Sequence, residues 1–420
     1  MSKIWDLIKN EKVEWKSLGE IGVVTGAGVD KKINDNEKFV TLLNYMDVYK
    51  NKYIDSLIPR MRVTTSDKKI ISCDVKKGDI FITPSSETKY DIFNTSVIAQ
   101  DLKNTVYSYH IMRLRLKTYN WITSCYLNYY FDSQKFKDEV CKLVHGEIRF
   151  TIGKSDIEKV KVPIPSIETQ NKIVKILDKF NIYVKELERE LERRNKQYQY
   201  YNELCFNDDL LKFLSNKYAT ESIVENKALN QLGVFIRGNN LTKKEIRNSG
   251  RPVVRYGELH TKYKFETDFT HSFTNNDLFK KLKKAIKNDL MIALTSEDND
   301  GVCKTCIWSG DYEIGISSDM CIFRGDVNPY FLNHFFSTER FLKQKERYLS
   351  GTNIIRISTD NLGKIDIPLP SIDIQNLVSE KLNKLYKISN SIYEGLPKEI
   401  KLRKQQYEYY RNKLLDFPNN

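Results

Sequence analysis

The chain has 420 residues, 40% hydrophobic and 29% charged, which excludes a disordered protein and supplies two or three packed cores. Lys and Arg outnumber Asp and Glu by 68 to 55, and a net charge of +13 favours an anionic partner. No apolar run reaches the ~20 residues of a bilayer span, and seven irregularly spaced cysteines argue against a secreted disulfide framework, so a cytoplasmic protein without a membrane partner is expected.

Residues 1–160 mix short β-branched and aromatic runs with turn residues, as in Val75-Lys-Lys-Gly-Asp-Ile-Phe-Ile-Thr83, and read as a first α+β domain with a helix near 121–143. Its polar loops carry Lys31, Lys32, Arg60, Arg62, Lys68, Lys69, Ser85, Ser86 and Lys89. Lysine and arginine suit phosphates, and short hydroxyl side chains suit base edges, so these are candidate DNA contacts. Asp79, Glu87 and Lys89 also have the spacing of a metal-dependent nuclease, in which two acids hold the ion and the lysine activates water.

A linker and long helix follow over 161–215. Pro163 and Pro165 hold the backbone extended and withhold two amide donors, so this stretch is no central strand. Beyond it Ile173, Leu177, Phe180, Val184, Leu187, Leu191, Arg194, Tyr198, Tyr201 and Cys205 alternate at spacings of four and three. That 3.5-residue period predicts a coiled-coil seam.

A second domain is read over 216–365, with a helix near 328–348 and a second polar set, Arg237, Asn239, Asn240, Lys243, Lys244, Arg247, Arg251, Arg255 and Thr295. Cys303 and Cys306 form the single Cys-x-x-Cys pair; without a second ligand pair they read as incidental thiols and no metal site is expected. Over 366–420 a second linker and helix carry the seam Val378, Leu382, Leu385, Ser389, Ile392 and Leu396, then Arg403, Tyr407, Tyr410 and Leu414. Gly395 and Pro397 predict a kink or break between these two stretches.

The chain repeats itself. Residues 157–171, IEKVKVPIPSIETQN, return as LGKIDIPLPSIDIQN at 362–376, and Leu127-Asn128 and Gly146 return as Leu332-Asn333 and Gly351. Asp79 through Glu87 resembles Asp289 through Glu297, but Asn299 stands where a nuclease lysine would be, which weighs against catalysis. The order domain–helix–domain–helix predicts two similar domains separated by an antiparallel two-helix coiled coil, related by an approximate two-fold axis. On duplex DNA such an arrangement reads two short sequences about one helical turn apart.

The two copies of (I/L)xK(I/V)x(I/V)P(I/L)PSIxxQN, each after a basic domain and before a heptad helix, with Gly146-Glu-Ile-Arg-Phe and Gly351-Thr-Asn-Ile-Ile-Arg ahead of them, resemble the specificity subunit of type I restriction–modification systems. The resemblance implies a non-catalytic subunit with two target recognition domains, each reading half of an asymmetric bipartite DNA site. It implies helices that set the spacer and dock two methyltransferase subunits, with restriction or translocase subunits as further partners. S-adenosylmethionine, ATP and Mg are then expected only in those partners, and no cofactor in this chain. In keeping with that, the sequence has neither a GxxxxGK[ST] loop nor an Asn-Pro-Pro-aromatic tetrad. Two other readings compete: a self-contained metal-dependent DNA nuclease, and a basic scaffold for RNA or membrane.

Overall fold

The computed structural model describes residues 11–118, 121–219, 223–390 and 395–418. They form two compact units, one of Met1–Leu187 with Ile400–Asn420 and the other of Glu188–Glu399.

Unit 1 opens with β1 (Glu14–Ser17), α1 (Leu18–Ile21), β2 (Gly22–Thr25), β3 (Lys38–Leu43), α2 (Tyr45–Lys50), β4 (Tyr53–Ile54), β5 (Met61–Thr65) and α3 (Asp67–Ser72). It continues with β6 (Asp74–Val75), β7 (Ile80–Ile82), β8 (Ser85–Ser86), β9 (Thr95–Ile98), β10 (Leu102–Tyr107) and β11 (Met112–Leu116). Helices α4 (Trp121–Tyr130) and α5 (Gln134–Cys141), strand β12 (Phe150–Thr151), helix α6 (Lys154–Lys159) and strand β13 (Lys161–Ile164) lead to α7 (Ile167–Cys205). A five-stranded sheet of order β2-β11-β7-β9-β4 and a four-stranded sheet of order β5-β3-β10-β6 make its body. The Ile-Phe-Ile run of β7 is buried throughout because both of its faces are covered.

Unit 2 repeats this plan after α8 (Asp208–Tyr218). Strands β14 (Glu225–Ala228), β15 (Gly233–Arg237), β16 (Arg251–Val254), β17 (Glu266–Thr267), β18 (Ser272–Thr274), β19 (Lys284–Ala285), β20 (Leu290–Ala293) and β21 (Thr295–Ser296) are interleaved with α9 (Leu229–Leu232), α10 (Tyr256–Thr261) and α11 (Asn276–Lys281). Then come β22 (Thr305–Trp308), β23 (Ile314–Ile316), β24 (Met320–Gly325), α12 (Pro329–Phe335), α13 (Glu339–Glu346), β25 (Ile355–Arg356), α14 (Thr359–Leu362) and β26 (Asp366–Leu369). The sheet orders β15-β24-β20-β22-β17 and β18-β16-β23-β19 match those of unit 1 strand for strand. The duplication read from the sequence is a duplication of topology.

The helices expected over 121–143 and 328–348 are each two helices. Ser133 accepts from the Phe136 amide at 3.3 Å and Thr338 from the Phe341 amide at 3.2 Å, so each hydroxyl caps a new helix and ends the earlier one. The proline stretches are short strands, as their lost amides require. Strand β13 pairs with β1, Trp15 opposite Pro163, and β26 pairs with β14, Asn226 opposite Pro368, in two-stranded sheets apart from the main ones.

Two further helices are α15 (Ile372–Asn390) and α16 (Leu396–Leu414), and Gly395, at a φ of +82°, precedes the second. In unit 1 the Phe180 ring lies 5.4 Å from Tyr410 and the Arg403 guanidinium 5.3 Å from the Tyr183 ring, so α7 and α16 run antiparallel. In unit 2 Tyr198 lies 5.4 Å from Tyr386, while Asn195 and Asn390 line one cavity, so α7 and α15 are antiparallel as well.

The seam is narrower than the sequence indicates. Ile173 and Leu177 are buried with Leu18, Leu114 and Tyr126, so the start of α7 packs on its own domain. Val184 and Tyr198 are buried along α7, Val378 and Leu382 are buried in the core of unit 2 with Phe331, and Leu414 in the core of unit 1 with Leu18, whereas Phe180, Leu187, Leu191, Leu385, Leu396, Tyr407 and Tyr410 are half-buried. Ile392 lies outside the described residues. Tyr201 is a correction: it is 40% exposed, and Asn202 is buried in its stead. Asn202 Nδ2 donates to the His334 carbonyl and to Ser337 Oγ, both at 3.1 Å. From Tyr198 a helix of 3.6 residues per turn brings position +4 to that surface, and the hydrogen bonds select it. Ile400, 8% exposed, is a buried residue of α16 that the sequence reading passed over.

Candidate nucleic-acid interface

The basic sets predicted from the sequence divide into groups. In unit 1 the segment between β2 and β3 carries Lys31 and Lys32, both exposed, and Lys32 pairs with Asp30 at 2.9 Å. The short β8–β12 pair places Ser85 and Ser86 opposite Thr151 and Phe150. Arg149 Nη2 donates to Ser85 Oγ at 3.3 Å, and Tyr45, on α2, donates to the Ser85 carbonyl at 2.8 Å. Tyr45 stacks on Tyr49 with ring centres 6.0 Å apart, and Lys89 lies 5.8 Å from the Phe150 ring. Partial burial, together with the charges of Lys31 and Arg149, holds the His110 imidazole below its ordinary range. His110 itself lies against the Tyr109 ring at 3.9 Å. Lys31, Ser85 and Lys89 therefore share a surface with Tyr45, Tyr109, His110 and Arg149, a basic face interleaved with aromatic rings.

Sequence reasoning missed Arg149, Tyr45, Tyr109 and His110 as members of this face. Arg149 had a readable signal: it sits in the glycine-led segment that the repeat singles out. That segment turns sharply because Gly146 has a φ of +106°, and a Cβ there would lie 2.1 Å from the Arg149 carbonyl oxygen.

Arg60 and Arg62 belong elsewhere, on and beside β5, the edge strand of the four-stranded sheet, with Arg60 Nε bonded to the Leu57 carbonyl at 3.2 Å. Lys68 is exposed on α3, whereas Lys69 Nζ is tied to the Ala27 and Gly28 carbonyls at 2.9 and 3.2 Å. Lys69 thus braces the β2–β3 segment.

In unit 2 the segment after β15 carries Asn239, Asn240, Lys243, Lys244 and Arg247, all exposed. Arg237 at its base donates to the Ser318 carbonyl at 2.9 Å, and Asn239 Oδ1 accepts from the Lys283 amide at 3.1 Å. Arg251 is engaged by the Phe279 ring at 4.3 Å and by Glu313 at 3.7 Å, and Arg255 immediately precedes α10. Thr295 is a correction. It is 6% exposed and sits on β21, which pairs with β25, so it stands on a strand lining a cleft and not in a polar loop. Lys280 and Lys281 are exposed at the end of α11, but Lys284 folds back onto the Leu282 carbonyl at 2.6 Å.

The acids of the nuclease reading have a different use. Asp79, 2% exposed, accepts from Arg115 Nε and Nη2, both at 2.6 Å. Asp289, equally buried, accepts from Arg324 at 2.8 and 2.7 Å. Both carboxylates are thereby committed to a bidentate ion pair between neighbouring strands, and Glu87 and Glu297 remain exposed. Among the described residues no group of three or more His, Cys, Asp or Glu is arranged to hold a metal ion, and no helix is long and apolar enough to cross a membrane.

Comparisons with known proteins agree with the duplicated plan. The family described as the type I restriction modification DNA specificity domain matches residues 10–194 and again 221–402. The Escherichia coli type I restriction enzyme EcoR124I/EcoR124II specificity subunit is 30% identical over 284 residues. That match covers 63% of this chain and 65% of the relative, so the chain spans just under two thirds of that relative's length. A putative type I restriction enzyme specificity subunit from Haemophilus influenzae is 28% identical over 289 residues, 65% of this chain and 68% of the relative. The crystal structure of a type I restriction–modification S subunit from M. genitalium covers 98% of both chains with a TM-score of 0.55 at 14% identity, which is a likeness of fold. Because the family match takes in both units, the chain belongs to the type I restriction–modification DNA specificity family.

Proposed function

We propose that the chain is the DNA-reading subunit of a type I restriction–modification complex. Each unit reads one half of an asymmetric bipartite site, and the antiparallel helices set the spacer between the halves. The helices also dock two methyltransferase subunits, to which restriction or translocase subunits add. The chain carries no catalysis of its own; S-adenosylmethionine, ATP and Mg belong to the partners, and the complex works in the cytoplasm.

One observation carries this reading. The same fold occurs twice with the same strand order, yet the side chains on corresponding edges differ: Arg149 against Ile354, Lys89 against Asn299, Ser85 against Thr295. Equal scaffolds with unequal reading edges suit two unlike half-sites, whereas equal edges would suit a palindrome. Binding by phosphate contacts falls steeply with salt, by about a thousandfold or more between 50 and 200 mM for six or more contacts.

The test is selection from a random duplex pool by the full chain reconstituted with a type I modification subunit. Two unlike half-sites at a fixed separation are expected. A single contiguous site, or tighter binding to RNA or anionic vesicles than to duplex, would refute the reading. Cleavage of DNA by the purified chain alone would favour the nuclease instead.

A further inference from the structure

The two units differ most sharply where the β8–β12 pair corresponds to β21–β25. In unit 1 the chain fills its own hydrogen-bonding site there, since Arg149 Nη2 donates to the Ser85 hydroxyl at 3.3 Å. In unit 2 the same two places hold Thr295 and Ile354. Ile354 has no donor. Thr295 is 6% exposed, and its hydroxyl makes no hydrogen bond to any described residue. Both residues line a cleft of about 740 Å³, together with Tyr256, His260 and three acids, Glu297, Asp298 and Asp300, of which Asp298 is held by the Gly301 amide at 2.6 Å. Among the described residues Glu297 has no ion pair, and Lys304, the lysine of the cleft, has its Nζ on the His260 carbonyl at 2.8 Å.

A hydroxyl and an exposed carboxylate that line one cleft, neither engaged by another described side chain, can both accept from an N–H donor outside the chain. Phosphate is repelled by the carboxylate, and the described acids are not arranged to ligate a cation. The donor that duplex DNA offers is the exocyclic amino group of a base, which keeps one hydrogen exposed in the major groove after pairing. Desolvating a carboxylate against any other base leaves it unpaired, so the contact also rejects the wrong sequence.

We propose that unit 2 reads an amino-bearing base, through cytosine N4 or adenine N6, by means of Glu297 and Thr295. The assignment rests on the DNA-reading role above. Glu297 is the specificity-determining acceptor, and Thr295 supplies a hydroxyl that reaches N7 when the base is adenine. Unit 1 keeps a carboxylate, Glu87, at the place of Glu297, but its hydroxyl is taken by Arg149, a cation that stands where unit 2 has Ile354, so it reads by a different chemistry.

The test uses the full chain reconstituted with a type I modification subunit and a random duplex pool, comparing wild type with Glu297→Ala and Glu297→Lys. The wild type is expected to require cytosine or adenine at one position of one half-site, and the selected base says which. Glu297→Ala should reduce discrimination there at least about fivefold, with the other half-site and the salt dependence unchanged. Glu297→Lys should turn the preference toward guanine, whose O6 and N7 accept. Glu297 is exposed, so neither variant disturbs a core. A bipartite site with no base preference altered by Glu297→Ala overturns this inference alone. A wild-type selection without two half-sites overturns the DNA-reading role and this inference with it.

Discussion

Gln170 Nε2 donates to the Pro165 carbonyl at 2.8 Å, and 205 residues later Gln375 makes the same bond to Pro370 at 2.9 Å. The repeated Pro-Ser-Ile-x-x-Gln motif is thus a hinge that locks the first turn of each long helix to the strand before it. The two copies are not equally satisfied. Gln375 Oε1 also accepts from the Asn328 amide at 2.9 Å, whereas the buried Gln170 Oε1 has no partner. Replacing Gln375 with leucine should therefore cost about 1–3 kcal/mol and exceed the loss for Gln170→Leu, because it strands an additional buried amide. Chemical denaturation of the two variants side by side checks the order.

The pairs Asp79–Arg115 and Asp289–Arg324 are alike in geometry but not in reserve. Arg115 keeps a second carboxylate, Asp74, 3.0 Å from its Nη1, whereas among the described residues Arg324 pairs with Asp289 alone. Asp289→Ala should therefore cost about 1–3 kcal/mol and exceed the loss for Asp79→Ala. Thermal unfolding of the two variants side by side checks the order, and a larger loss for Asp79→Ala would contradict it.

Unit 2 carries a fully buried, pH-sensitive histidine. His334 is fully buried, its Nδ1 2.9 Å from the Tyr198 hydroxyl and its Nε2 2.9 Å from Asn383 Oδ1. Asn383 Oδ1 can only accept, which assigns the proton to Nε2 and leaves Nδ1 to accept from Tyr198. Burial lowers the imidazole to about 4 against the small upward pull of the Asn383 bond. The unfolded chain takes up a proton near pH 6.5 and the folded one only near 4, so stability is constant above that window and declines as pH falls through it. The total loss is roughly 3 kcal/mol. The corresponding place in unit 1 holds Tyr129, which has no titration in this range. Denaturation midpoints between pH 7 and 4 should decline in the wild type and flatten in His334→Gln.

Under the proposed role, helix α7 sets spacing and not sequence. Deleting the heptad 186–192 shortens it by about 10 Å while keeping its buried face in phase. Selection with this variant should return the same two half-sites with a changed spacer. A changed half-site would remove the ruler role.

The doubled architecture was legible because a repeat is tested at many positions at once. Leu127-Asn128 and Leu332-Asn333 recur for a shared reason: Asn128 accepts from Thr95 at 2.7 Å and Asn333 from Thr305 at 2.5 Å, tying a helix to the sheet in each unit. The limits of the helix seam were less legible. A 3.5-residue period describes a helix facing another helix, but the ends of α7 face domains, where Asn202 outcompetes Tyr201 through hydrogen bonds that no apolar pattern encodes. Ile400 was hidden by the break at Gly395, which resets the count. The candidate interface was partly legible. Exposed cations can be read from composition, yet whether a cation is spent inside the protein, as with Lys69 and Arg251, depends on carbonyls and rings distant in sequence. Arg149 joins Ser85 across 64 residues, a pairing that only the β8–β12 register creates.

The first unit is closed by residues that follow the second unit in the sequence. Trp15 Nε1 donates to the Pro418 carbonyl at 3.2 Å, and Leu414, Leu415 and Phe417 complete the same core as Leu18 and Tyr126. During synthesis the first domain to begin is therefore the last to finish: the ribosome must deliver the whole of the second domain before the first can be sealed. A chain cut short ahead of α16 would lack Leu414, Leu415 and Phe417 and leave that core open.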